Sequence, residues 1–314
     1  MTGHEVRHGR AIVGMSAVLL PFTDTDEIDW AGFETHLERT IDAGLAPAVN
    51  MDTGFGPVLE PAERSRALQI TAALAPPGWV AGAQVPDAPG AGFDGDAYAR
   101  ECAAIANAGG MPILFPSFGL QGLDDDALVA AHALLAAGVD RMLGFELGSM
   151  FHPAGRIFSL DGFRAVLEIP GVAGLKHAAL ARAPEWARLA IRDEHRPDFL
   201  LLTGNDLAID MVIYGSDFLL GLSTFAPDAF SARDRAWADG DEARFWAIND
   251  VLQYLGQLAF RDPVPGYRHD AAMFLALRGQ IGTDRTHPES PKRPDSDRAL
   301  LAAIADRLET LLTI

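Results

Sequence analysis

The sequence predicts a (β/α)8 barrel followed by a C-terminal helical appendage, and three observations predict it. Short apolar runs alternate with longer segments of helical period. The runs are continuously apolar, as strands of a parallel sheet covered on both faces are. The alternation repeats eight times and stops near residue 238 of 314. A chain of this length can bury one large barrel core. A doubly wound open sheet is the competing architecture, but it calls for a Gly-rich phosphate loop after the first strand, and no G-x-G-x-x-G stands there.

The strands are expected at residues 12–20, 47–50, 79–85, 111–115, 141–146, 172–177, 199–203 and 218–223. The first run follows Arg7 and Arg10 and superficially resembles a secretion signal. It continues into Pro21-Phe22 without a small-residue cleavage site, so it reads as a buried strand. Helices are expected near 29–44, 61–75, 94–109, 124–137, 160–168, 183–194, 206–214 and 226–238. Asp29, Asp94, Asp124 and Ser159 supply side-chain oxygens for the first free amides of four of them. The barrel is assigned residues 1–238. Residues 239–314 form the appendage, with helices at 241–260, 270–281 and 296–313 and a Pro-rich loop at 283–296.

A net charge of −18 argues against nucleic acid or an anionic membrane as partner. No apolar run reaches about 18 residues, so no membrane-spanning helix is expected and the location is taken as cytoplasmic. The single cysteine, Cys102, lies in a helical apolar pattern and reads as core. Asp24-Thr25-Asp26 lacks the downstream ligands of a calcium loop, and no metal or cofactor is expected.

Of 25 basic residues, only Lys176 and Lys292 are lysine. Lys292 stands in Pro-Lys-Arg-Pro, an exposed turn. Lys176 ends the sixth predicted strand. Arginine has replaced lysine almost wherever charge alone was needed, and arginine cannot lose its proton near neutral pH. A desolvated lysine can, and it then attacks carbonyl carbon. The resulting iminium is an electron sink for carbon–carbon cleavage or loss of a β-hydroxyl. The bland alternative is a leftover lysine with an exposed head. In barrels of this type chemistry sits at the C-terminal ends of strands. Here these ends hold Asp52 and Thr53, Phe118, Phe145 and Glu146, Lys176 and His177, Gly204 with Asn205 and Asp206, and Ser223.

The order of these features resembles the dihydrodipicolinate synthase / N-acetylneuraminate lyase family of Schiff-base-forming barrels, over nearly the whole chain. Leu20-Pro21-Phe22 with Ile28-Asp29 is similar to the family's opening Thr-Pro-Phe and Ile-Asp. The segment from Asn50 to Phe55, then Leu59 and Glu63-Arg64, is similar to its Gly-Thr-Thr-Gly-Glu loop and Leu-x-x-x-Glu-Arg. Gly174-Leu175-Lys176 resembles its Gly-Ile-Lys strand, and Thr203 to Asp206 its Ser-Gly-Asp segment. The resemblance implies an imine at Lys176, a small 2-oxo acid or related carbonyl substrate, no cofactor and a homotetramer. It aligns Arg268 with a lysine of the family's appendage.

The departures from the family are as informative. The relay tyrosine of the family's Tyr-Asn-x-Pro motif is Phe145 here, and a second relay tyrosine is Phe118. None of the four tyrosines, Tyr98, Tyr214, Tyr254 and Tyr267, falls at these places. The carboxylate-binding Thr-Thr pair is Asp52-Thr53. True dihydrodipicolinate synthase activity is therefore not expected. Glu146, beside the missing tyrosine, is the expected substitute acid or base, unless it is merely a salt-bridged strand end. Asp52, Thr53, Phe118, Phe145, Gly204 and Ser223 are the expected substrate contacts. His177 points away from Lys176 by strand parity, and His152 reads as a surface-loop residue. A non-catalytic, metabolite-binding barrel of the same fold is the alternative function.

Overall fold

The computed structural model describes residues 5–313. Eight parallel strands close in sequential order into a barrel: β1 Gly14–Ala17, β2 Ala46–Val49, β3 Val80–Ala83, β4 Met111–Leu114, β5 Met142–Leu147, β6 Val172–Ala178, β7 Leu200–Thr203 and β8 Asp217–Leu220. The barrel reading holds, and most strands are shorter than the apolar runs that announce them. The difference is chain that stays buried while leaving the ladder: Val18, Leu19 and Leu20 after β1 are at most 2% exposed.

The core has two shells. Met15, Ala48, Val80, Ile113, Leu143, Phe145, Leu202 and Leu219 fill the barrel interior. Their strand neighbours point outward and pack beneath α1 Trp30–Asp42, α2 Pro61–Leu74, α3 Gly95–Asn107, α4 Phe118–Gln121, α5 Asp125–Ala136, α6 Leu160–Leu167, α7 Arg182–His195 and α8 Pro227–Ala238. Asp29, Asp94, Asp124 and Ser159 each accept a hydrogen bond from the first turn of their helix, as expected. The stretch expected as a helix at 206–214 is instead a 3-10 segment over Ile209–Tyr214, closed by Gly215 at φ 110°. Thirteen residues separate the two strands, and the 3-10 segment takes six of them.

One irregularity fixes the parity of the sixth strand. Met142 pairs with Val172, but Leu143 pairs with Gly174, so Ala173 is an extra residue. From there the register runs Phe145 to Lys176 and Glu146 to His177. Phe145 and Lys176 share the interior face, while Glu146 and His177 share the outer one. Gly174 is required there, because a Cβ would sit 2.5 Å from the Leu200 carbonyl oxygen.

The appendage comprises α9 Glu242–Ala259, α10 Tyr267–Leu277 and α11 Asp297–Leu312. The turn between α9 and α10 contains a cis Asp262–Pro263 bond and is held by one buried side chain. Arg293 donates to the carbonyls of Ala259 (2.8 Å), Asp262 (3.1 Å) and Pro263 (3.1 Å), and pairs with Asp270 at 3.2 Å. Gly266 leaves the space its guanidinium occupies. This helix starts three residues earlier than the sequence suggests, and that shift places Tyr267 at the barrel mouth. Among the described residues no helix is long and apolar enough to cross a membrane.

Candidate active site

Lys176 lies near the C-terminal end of β6 and is 4% exposed. Its Nζ sits 4.6 Å from the centre of the Phe145 ring. Burial lowers its pKa from the ordinary value, and the charges of Asp52 and Asp206 oppose that shift. Gly204 allows the lysine to lie where it does, since a Cβ at 204 would approach Lys176 Cε to 2.8 Å. Around the amine is a narrow cavity lined by Asp52, Asp206, Gly204 and Gly221 on one side. Leu147, Phe151, Phe260 and Tyr267 form its apolar and aromatic wall. The free space is about that of one water molecule. Substrate entry therefore requires a lining group to move. Phe151 is carried on the loop between β5 and α6 and is not anchored in a regular element.

The loop after β2 delivers Asp52 and Thr53. It is a tight, strained turn: Asn50 (φ 53°) and Phe55 (φ 60°) are both left-handed, an expensive state for phenylalanine. Gln84 donates to the Asn50 carbonyl at 2.7 Å, and Asn50 Nδ2 donates to the Arg64 carbonyl at 3.2 Å. From the appendage, Arg268 donates to the Asp52 carbonyl at 3.0 Å and lies over the Phe55 ring. Asp206 comes from the loop after β7. Its Oδ1 accepts the Leu222 amide at 2.7 Å. Burial pushes its carboxyl up to about 7, which holds a buried acid near its midpoint at neutral pH.

Several expected contacts are elsewhere. Glu146 faces the helices. It is fully buried and accepts from His177 Nδ1 (2.6 Å), Arg188 Nε (2.7 Å) and the Phe158 amide (2.8 Å). Burial pushes its pKa up, but His177 and Arg188 together hold it below the ordinary value. It is thus a salt-bridged anchor behind the strand, and the reading of Glu146 as the substitute acid is corrected. Ser223 lies beyond β8 and donates to Ser16 Oγ at 2.9 Å on the outer side of β1, while Gly221 occupies the mouth position expected for it. Phe118 opens α4 on amides held by Asp87 and is not part of the lysine cavity. Phe145 lies against Lys176 on the interior face. His152, read as a surface residue, packs edge-on against Phe115 at 5.9 Å, and burial lowers its pKa.

Tyr267 and Asp206 were absent from the expected contacts. Asp206 was visible as a strand-end carboxylate. Tyr267 had no such signal, because it arrives from the appendage. A metal-dependent lyase is disfavoured from sequence on the ground that no H-E-x-x-H spacing occurs, but His4-Glu5-Val6-Arg7-His8 has the letters of that zinc-protease motif. That motif needs both histidines on one helical face. His4 lies outside the described residues, residues 5–10 are not helical, and His8 pairs with Glu242 at 2.7 Å.

No family model matches the chain. It is 28% identical over 310 residues to the Streptomyces avermitilis protein named "Probable 5-dehydro-4-deoxyglucarate dehydratase 2", covering 92% of this chain and 86% of that one. It is 26% identical over 276 residues to the 4-hydroxy-tetrahydrodipicolinate synthase of Gluconacetobacter diazotrophicus, covering 85% and 88%. A dihydrodipicolinic acid synthase family protein of E. coli K12, solved with pyruvate, superposes with a TM-score of 0.81 at 17% identity, over 95% of this chain and 98% of that one. The sialic acid aldolase of Ruminococcus gnavus superposes at 0.77 with 13% identity, over 96% and 98%. The chain is thus similar in sequence to a dehydratase and a synthase of this kind, and it shares its fold with dihydrodipicolinate synthase-type barrels and with the sialic acid aldolase.

Two measurements check this geometry. Glu146→Ala strands the buried Arg188 charge and should cost about 3–5 kcal/mol of stability in chemical denaturation, while the folded protein keeps a reactive Lys176; a stable but unreactive variant would restore Glu146 to the chemistry. For Asp206, the folded pKa of about 7 exceeds the ordinary 3.8, so its neutral form is the one the fold favours. Its contribution is complete below about pH 4 and is lost as pH rises to about 7. The melting temperature of Asp206→Asn, relative to wild type, should therefore climb from pH 4 to 7 and level off above. A difference independent of pH would contradict this.

Proposed function

We propose that this protein is an imine-forming lyase, an aldolase or dehydratase, acting through Lys176 on a 2-oxo acid or related carbonyl compound. One observation carries the reading: the one lysine of the barrel is buried at a strand end among two carboxyls and an aromatic wall. Neutral Nζ attacks the carbonyl carbon and gives a carbinolamine. Asp206, as a carboxylic acid, donates the proton with which water leaves. It then stands as a carboxylate beside the iminium cation it helped to form. The iminium accepts the electron pair released by carbon–carbon cleavage, or by proton loss that expels a β-hydroxyl. Both relatives, a dehydratase and a synthase by name, fit that shared intermediate.

The mouth argues against the synthase reaction itself. Phe145, beside the amine, carries no hydroxyl where the resemblance places a relay tyrosine, and Asp52 sets a carboxyl where the resemblance places threonine. A small polar acid such as pyruvate would leave its groups unpaired there. A substrate with an apolar or aromatic portion suits the walls formed by Phe145, Phe151 and Phe260, with Asp52, Thr53 and Gly204 around the reacting carbon. The non-catalytic alternative gains no support, because the buried amine costs stability that a mere binding barrel would not need to carry. The enzyme is further proposed to be a cytoplasmic homotetramer.

Borohydride trapping followed by intact mass tests the chemistry. Benzylidenepyruvate should add mass at Lys176 more efficiently than pyruvate, and Lys176→Arg should lose both adduct and turnover. Labelling at Lys292 alone, an active arginine variant, or efficient condensation of pyruvate with aspartate semialdehyde would refute this reading. Sedimentation should give a tetramer; a fully active monomer would contradict the assembly.

A further inference from the structure

The barrel strands bring no tyrosine to the lysine, yet a tyrosine hydroxyl enters the site from the opposite direction. Tyr267 is the first residue of α10. Its ring stacks on Phe260 at 4.3 Å and passes over Gly221, where a Cβ would meet it at 3.2 Å. The hydroxyl has two partners, Thr53 Oγ1 at 2.8 Å and Asp52 Oδ2 at 2.8 Å. A carboxylate only accepts, so Tyr267 spends its single proton on Asp52 and receives one from Thr53. The hydroxyls thus form a directional chain that ends on a carboxylate in the cavity of Lys176. That chain fixes Oδ2 and leaves Oδ1 outside it.

We propose that Asp52 is the acid–base residue of carbinolamine formation, the step before the dehydration assigned to Asp206, and that Tyr267 is its positioning residue, replacing from the appendage the relay that the strands have lost. The proposal rests on Lys176 being the amine that reacts. When Nζ bonds to the carbonyl carbon, the π pair of the carbonyl moves to oxygen. Asp52 takes the proton that nitrogen sheds and returns it to that oxygen, which completes the carbinolamine with no net change in charge. A carboxylate free to rotate would do this poorly. Tyr267 and Thr53 hold it in one orientation, and the Phe260 stack holds Tyr267.

Tyr267→Phe tests this, because the stacked ring stays and only the hydroxyl goes. The probe is the rate of cyanoborohydride-trapped adduct at Lys176 with benzylidenepyruvate, and with pyruvate and 2-oxobutyrate beside it, from pH 5 to 9. The variant should keep its melting temperature within a few degrees and its half-saturation concentration. Its trapping rate should fall about tenfold or more, the scale of one lost hydrogen bond to a charged group. Asp52→Asn should fall further. A wild-type trapping rate in Tyr267→Phe, or a loss that appears only as a raised half-saturation concentration, would show that the hydroxyl only packs and would overturn this proposal while leaving the Lys176 reading intact. No adduct at Lys176 in wild type with any of the three acids would overturn both.

Discussion

An amine cannot be buried cheaply while it is charged, and the upper half of this barrel is arranged around that cost. Lys176 has been drawn beneath an aromatic wall, where burial favours its neutral, nucleophilic form. Asp52 and Asp206 oppose the shift without abolishing it. Gly204 and Gly221 exist as glycines because the lysine on one side and the appendage aromatics on the other already occupy the space of a side chain. The strained loop after β2 is part of the same arrangement, since it brings Asp52 and Thr53 over the barrel axis at the expense of two left-handed residues.

Behind the strands lies a second buried ionic cluster with the opposite purpose. Glu146, His177 and Arg188 join β5, β6 and α7 through short hydrogen bonds and have no route to the cavity. Adjacent residues on one strand thus do unrelated work. Phe145 lies against the Lys176 amine, and Glu146, one position on, pins a helix to the barrel.

That contrast marks how much was legible in the sequence. The eight-fold alternation, the caps at Asp29, Asp94, Asp124 and Ser159, and the lone strand-end lysine are local signals, and the fold follows from them. Strand order alone puts Phe145 and Gly204 beside Lys176. Glu146 is adjacent to Phe145 in sequence but not in function, because Phe145 and Lys176 pair in register on the interior face and Glu146 must then face outward. Ser223 was misjudged because β8 ends at Leu220, so that a 3-10 turn redirects the chain. Tyr267 could not have been found by either rule. Its position depends on Arg293, far along the chain, which holds the turn before α10. No periodicity records a contact of that kind.

The partnership of Tyr267 with Thr53 spans 214 residues of sequence. The ceiling over the amine, Phe260 and Tyr267, is therefore made of chain that follows β8, so the dry environment that favours an uncharged Lys176 is a joint product of the barrel and of the segment added after it.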